Sequence, residues 1–480
     1  MARASCLRLA CLIAALSATG PVRALDIVGV QNAALDQPRV NALLRLTPDG
    51  APLTGVEPIF GDSIFNIQAF LDTGASGVIV SEQTADFLGV PRAPGVIFSD
   101  VGVGGSAQFG VSSPLHVDIA PFTLAADVNN PSMADTVYSQ RFGPLRAQIG
   151  PLGVPSNPFL GGVDVFGMPT MAGKVVVMDP KPLDTLLDNM RTYVYAPGTQ
   201  YKPQSADSDP GIPPTNRTVD LSFASFDRFT SITPPGAAGP TLAPNPFIGP
   251  DPLASPTASA AADSTPGVTL TLGDNQATGS FLLDTGAAAS VISQALAADL
   301  HVRYRPGAAD PVLELFDPAN LGALGIEVPN QFVITLSGIG GDERAAGLFL
   351  DSLLVRTLQG NPADDNDPAH LRYVGAPVLV ADIALKDPVT GDALTLDGLF
   401  AMNFLVASIY FAEPFTLGEV GLSPFRWVVF DHPNGVLALD VIAVPEPESY
   451  ALMLIGLAFI AWRLRQTRTK GGPSRAGLRP

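Results

Sequence analysis

One apolar turn of this chain is written twice, and a duplicated turn of this kind restricts the fold to two similar halves. The first copy is Phe70-Leu71-Asp72-Thr73-Gly74-Ala75-Ser76-Gly77-Val78-Ile79-Val80-Ser81, and the second is Phe281-Leu282-Leu283-Asp284-Thr285-Gly286-Ala287-Ala288-Ala289-Ser290-Val291-Ile292-Ser293. In each, an apolar run delivers an aspartate, Thr-Gly breaks the run, and small residues lead into Val-Ile and a serine. Gly74 and Gly286 let the backbone turn tightly against a neighbouring segment, and the hydroxyls of Thr73 and Thr285 can bond backbone across the gap. Each serine then reads as the N-cap of a short helix: Ser81 before Thr84 to Leu88, with Gly89 as the stop, and Ser293 before Ala295 to Leu300. A single Asp-Thr-Gly is ordinary turn chemistry. Two copies in matched surroundings set two carboxylates at the tips of two buried strands.

Two such tips related by an approximate two-fold axis bring Asp72 and Asp284 together over a shared water. Two adjacent carboxylates cannot both ionise easily, so the pair holds one proton between them. That state suits peptide hydrolysis, because the ionised member takes a proton from water while the protonated member polarises the scissile carbonyl. On these residues the chain resembles the pepsin/retropepsin-like aspartic proteases. The resemblance implies an all-β, bilobal pepsin-like fold with two pseudo-symmetric β lobes and a few short helices. It implies a peptide or protein substrate, Asp72 and Asp284 as the catalytic pair, and Thr73, Gly74, Thr285 and Gly286 as support for the active-site loops. It calls for no cofactor and no metal.

Further stretches take their meaning from that resemblance. The glycine-rich Asp100 to Gly110 reads as a hairpin, and the family places a flap there, with Val103, Gly104, Gly105 and Phe109 as its candidate residues; the alternative is a surface hairpin that touches no substrate. Pepsin-like flaps carry a tyrosine and this one does not, whereas retropepsin flaps are apolar and glycine-rich. Leu336 to Asp342 repeats the feature. Segments 158–166 and 396–405 resemble the strands that thread beside the two Asp-Thr-Gly loops, with Ala401 standing where the family has glycine. Pepsin-like enzymes usually follow Asp-Thr-Gly with Ser or Thr; Ala75 and Ala287 offer no such donor, which predicts raised carboxyl pKa values and an optimum in weak rather than strong acid.

Composition narrows the alternatives. Aromatic residues make up 7%, and Gly and Pro together about a fifth, with many short apolar runs broken by turns, which favours β architecture. The net charge of −18 and pI near 4.5 exclude nucleic acid as a partner. His116, His301, His370 and His432 are scattered with no zinc-binding pair, and no Gly-x-Ser-x-Gly elbow occurs. The acidic insert Asp364 to Asp367 is either a calcium loop or, as its missing Gly and distal Glu favour, a solvated acidic loop.

Both ends read as addresses. Residues 1–24 have the charge, apolar core and small-residue end of a secretory signal peptide, and they contain both cysteines, Cys6 and Cys11. Near the other end, Pro445-Glu446-Pro447 precedes the apolar stretch Tyr450 to Trp462 and then arginines. This order resembles the PEP-CTERM sorting signal of Gram-negative bacteria. It implies export across the inner membrane, a transient anchor in it, recognition by an exosortase-type enzyme and delivery to the cell surface or matrix. The expected organisation is a signal peptide (1–24), an N-terminal β lobe (25–180), an interlobe segment with a Pro/Ala-rich linker (181–266), a C-terminal β lobe (267–443) and a sorting tail (444–480). Residues 25–447 hold 18 basic and 44 acidic side chains, a net charge of −26. A non-catalytic surface or matrix protein that keeps the two-lobed fold is the rival to an exported endopeptidase.

Overall fold

The computed structural model describes residues 26–442 apart from 28–32, 35–36, 103–104, 122–139, 152–162, 181–189, 206–207, 210–211, 224–227, 249–264, 340, 387–392, 407, 413–415 and 421–422. Among the described residues strands dominate. Helix among them is limited to Glu82–Leu88, Met168–Met171, Gln294–Asp299 and the 3-10 turn Met402–Phe404. The class is all-β, as the turn-rich sequence predicts.

Each aspartate lies inside a three-strand weave. In the first half, Ile67–Leu71 leads to Asp72 and the chain returns as Val78–Val80. Val165–Phe166 lies beside both, parallel to the first strand (Val165↔Phe70) and antiparallel to the second (Val165↔Ile79). The second half repeats the arrangement with Asn275–Asp284, Val291–Ile292 and Gly398–Ala401, the last parallel to the first strand (Leu283↔Phe400) and antiparallel to the second (Val291↔Leu399). The two expected helices follow, and both serines cap as expected: Ser81 Oγ accepts from Thr84 N–H and Ser293 Oγ from Leu296 N–H, each at 3.1 Å. Gly89 closes the first helix in the left-handed conformation.

The hairpins are repeated too. Gln148–Ile149 lies parallel to Val78–Val80 and antiparallel to Gly105–Ser112, the returning arm of a hairpin that begins as Arg92–Gly102. Leu371–Val380 is likewise parallel to Val291–Ile292 and antiparallel to Gly341–Val355, whose other arm is Phe332–Gly338. Gly105 and Gly341 occupy equivalent corners with φ of +103° and +117°, which a side chain would strain.

A third sheet belongs to both halves. Val175–Asp179 and Phe425–Asp431 pair antiparallel, Val175 opposite Asp431 and Met178 opposite Val428, with Arg191–Val194 on one side and Val436–Val441 then Arg217–Asp220 on the other. Val175 to Met178 and Val428 to Phe430 are all buried, so both faces of these strands are covered. Strands covered on both faces read as unbroken apolar runs rather than alternations, which is how these two are written.

Two expectations are corrected by the pairing. Asp26–Ile27 joins Leu371–Val380 of the second half in parallel, and Ala33–Ala34 pairs with Ser408–Ala412, so the first strands do not belong to the lobe assigned to 25–180. The Pro/Ala-rich stretch beginning at Pro234 is not a spacer throughout. Phe229–Thr233 and Thr241–Pro244 form a hairpin that extends the first half's sheet beyond Ile97 and Phe98. Phe247 and Ile248 are buried, Phe247 packing on Phe98 with ring centroids 4.7 Å apart. A few apolar side chains suffice to fix a segment whose composition is otherwise that of a linker.

Candidate functional site

The two loops meet, and threonine holds them together. Thr73 Oγ1 donates to the Leu283 carbonyl at 2.6 Å and accepts from Thr285 N–H at 3.1 Å; Thr285 Oγ1 donates to the Leu71 carbonyl at 2.7 Å and accepts from Thr73 N–H at 3.0 Å. Both threonines are buried. Four reciprocal bonds therefore cross between the halves one residue beyond each aspartate, and every polar atom of the two hydroxyls has a partner, as burial demands.

This register sets each carboxyl against the other half's glycine. A Cβ built on Gly74 would fall 2.7 Å from Asp284 Cγ, and one built on Gly286 would fall 2.8 Å from Asp72 Oδ1. No side chain fits at either position while the carboxyls stay where they are. Gly74 N–H donates to Asp72 Oδ1 at 2.6 Å, and Gly286 and Ala287 N–H both donate to Asp284 Oδ1 at 2.9 Å. The Asp72 and Asp284 carboxyls lie close enough that each changes the other's affinity for a proton. Burial is the largest cause holding both above the ordinary carboxylate range, and at Asp284 the neighbouring Asp72 charge adds to it. The shift belongs to the pair, which retains a proton to higher pH than a free carboxyl would. The direction is the one expected from the sequence, with burial as its largest cause; the Ala287 backbone N–H works against it by donating to Asp284.

The threading strands fit the loops differently in the two halves. In the first, Gly167 N–H donates to the Gly77 carbonyl at 2.9 Å, and a Cβ on Gly167 would lie 2.5 Å from that oxygen. The threading glycine is therefore Gly167, just beyond the segment 158–166 chosen from sequence; Phe166-Gly167-Met168 against Phe400-Ala401-Met402 was the legible signal. At the equivalent place, Met168 N–H bonds Ala75 O at 2.8 Å and Met402 N–H bonds Ala287 O at 3.1 Å. Ala401 is tolerated because the second loop has one more residue between aspartate and the Val-Ile strand. That residue, Ser290, accepts from Ala401 N–H through its hydroxyl at 2.9 Å and donates to Asn403 Oδ1 at 2.7 Å. Ser290 and Asn403 were not singled out in the sequence, nor was Gln37, whose amide donates to the Gly286 carbonyl. Gly167→Ala should consequently lower stability by about 1–3 kcal/mol through overpacking, whereas Ala401→Gly should cost under about 1 kcal/mol. Chemical denaturation of the two variants checks the ordering.

The hairpins come together at their tips: a Cβ on Gly102 would lie 2.8 Å from Ile339 Cβ. Of the flap candidates, Gly105 is at the turn, while Val103 and Gly104 lie outside the described residues. Phe109 does not face a ligand space. It sits in the body of the hairpin opposite Phe98 and is fully buried, the usual fate of a large apolar ring with neighbours to cover it. The loop at Asp364 to Asp367 spends its carboxylates on itself: Asp364 accepts from Asn366 N–H, Asp367 from Asn361 and Ala369 N–H, and Asp365 pairs with Arg356 at 2.6 Å. Among the described residues no group of three or more His, Cys, Asp or Glu is placed to hold a metal ion.

Residues 443–466 match the PEP-CTERM protein-sorting motif. The motif implies an exported chain recognised by an exosortase, with transient membrane anchoring through its C-terminus. Pro445, Glu446 and Pro447 fall in this match and lie outside the described residues. No curated protein matches the chain. Among the described residues no helix is long and apolar enough to cross a membrane.

Proposed function

We propose that this chain is an exported aspartic endopeptidase of the pepsin/retropepsin-like, bilobal class, delivered to the surface of a Gram-negative cell. The observation that carries the reading is the juxtaposition of Asp72 and Asp284, each carboxyl set against the other half's glycine, with burial raising the proton affinity of the pair. In the reaction, the ionised carboxylate removes a proton from a water whose oxygen attacks the scissile carbonyl carbon. The protonated carboxyl gives its proton to the carbonyl oxygen, so a neutral gem-diol forms without a covalent enzyme intermediate. The first proton passes on to the amide nitrogen while the other carboxylate takes a proton back from one gem-diol hydroxyl, the C–N bond breaks, and the acid product and amine leave with the pair again sharing one proton. Thr73 and Thr285 keep the two oxygen sets in register, and the touching hairpins must part to admit a peptide.

Digestion of an unbiased peptide mixture across pH 3–8, with Asp284→Asn beside it, tests the reading. Cleavage should peak in weak acid, above the strong-acid range, because burial keeps one proton on the pair into that region. Loss of cleavage by roughly a thousandfold or more is expected in the variant. Equal cleavage by both proteins, or intact peptides at every pH, would sink the assignment; intact peptides would favour the non-catalytic surface protein.

A further inference from the structure

A second carboxylate, on the first hairpin, has no cationic partner among the described residues. Asp100 lies near the tip of the first hairpin, opposite the small Ala107 across the strands. Its Oδ1 accepts from Val101 N–H at 2.9 Å, and the Gln148 side chain lies near enough to favour its ionised form. Gln148 is on the strand that flanks Val78–Val80, and its Nε2 approaches within 3.2 Å of where a Cβ on Gly77 would be. Asp100 is therefore turned inward, from the hairpin toward the loop that carries Asp72. Gln148 is 4% exposed, and its Oε1 accepts no hydrogen bond among the described residues. An inward carboxylate with no cation beside it and a buried acceptor with nothing to accept lie near each other, and burying the Gln148 oxygen without a donor is unfavourable.

We infer that Asp100 and Gln148 form a subsite for a cationic side chain, lysine or arginine, of a peptide bound beneath the first hairpin. This rests on the endopeptidase reading for the peptide and on the Asp100–Gln148 pair for the charge. A lysine ammonium has three donors and an arginine five, with no acceptor, so either satisfies the carboxylate and the Gln148 oxygen together. Glutamate or aspartate at that position would meet two acceptors and be refused. The overall charge acts in the same sense, since the −18 of the chain draws basic peptides toward it.

The test uses fluorescein-labelled octapeptides of alanine and leucine whose central peptide bond is replaced by a hydroxyethylene group, so that they are not cut. Lysine or norleucine is moved through each position in turn, and binding to the full chain is read by fluorescence anisotropy at pH 6. At one position lysine should bind about tenfold more tightly than norleucine. Asp100→Asn should bring that ratio close to one while leaving the norleucine peptide's affinity unchanged, which also reports that the variant is folded; Gln148→Leu should lower the ratio in part. A wild-type ratio near one at every position, or no binding, overturns the inference, as does a ratio that survives in Asp100→Asn. Cleavage of the peptide mixture is scored separately, so lysine preference without cleavage would leave the subsite standing and remove the endopeptidase reading.

Discussion

Thr73→Val should lower the unfolding free energy by about 2–5 kcal/mol, and Thr285→Val by a similar amount, although valine has nearly the shape of threonine. Each substitution leaves two buried backbone groups without their partner. For Thr73 these are the Leu283 carbonyl and the Thr285 N–H, bonded now at 2.6 and 3.1 Å. An unsatisfied buried group costs about 1–3 kcal/mol, whereas the methyl gained by valine is accommodated in apolar surroundings. Serine in the same place keeps the hydroxyl and loses only a methyl, so Thr73→Ser should stay within about 1–1.5 kcal/mol of the parent. The double valine variant should fall short of the sum of the two, because both hydroxyls serve one network and its first breach loosens the second. Denaturant unfolding of the valine and serine series decides the matter: equal losses from valine and serine would mean that the four bonds do not hold the halves together. Catalysis should fail in the valine variants before folding does, since the carboxyls sit one residue away and tolerate little displacement.

The Asp-Thr-Gly repeat was the legible part of this molecule because it is local chemistry. An acidic residue at the end of an apolar run, a hydroxyl beside it, a glycine after it and a capping serine can all be read within twelve residues, and Asp72, Thr73, Gly74, Asp284, Thr285 and Gly286 are brought together. What the sequence left hidden depends on partners far along the chain. The place of Val165–Phe166 beside Ile67–Leu71, nearly a hundred residues earlier, was expected only through the family resemblance, since no periodicity in either stretch predicts the pairing. Gly167 matters for the two carbonyls it faces across the loop, not for its neighbours in sequence. Ala401 looked like a defect and is matched by an added residue, Ser290, whose hydroxyl bridges the wider gap. The hairpin at 229–244 was obscured by proline and alanine because its pairing is to Ile97 and Phe98 of the first hairpin, and composition carries no record of that.

Asp284→Asn should remove hydrolysis and at the same time make the protein more stable at neutral pH. Asparagine keeps Oδ1 as an acceptor for the Gly286 and Ala287 N–H groups and presents an amide donor to Asp72, so the hydrogen bonds survive. The group it replaces has its folded pKa raised above the ordinary carboxylate range, chiefly by burial. A raised carboxyl pKa means that the folded state holds the proton more tightly than the unfolded chain does. The resulting stabilisation is fully present below the unfolded value and is lost as pH rises through the folded one. At neutral pH the parent must either strip that proton or hold it against solvent, and the asparagine variant meets neither demand. The difference in melting temperature between variant and parent should therefore be smallest near pH 4 and grow as pH rises above it. Asp164, which burial raises to about 6 while Ser81 N–H and the Thr84 hydroxyl hold it, titrates in both proteins and cancels from the difference. Differential scanning calorimetry from pH 4 to 8 gives the curve. A variant destabilised at neutral pH would show that the shared proton of Asp72 and Asp284 is a source of stability rather than a strain kept for chemistry.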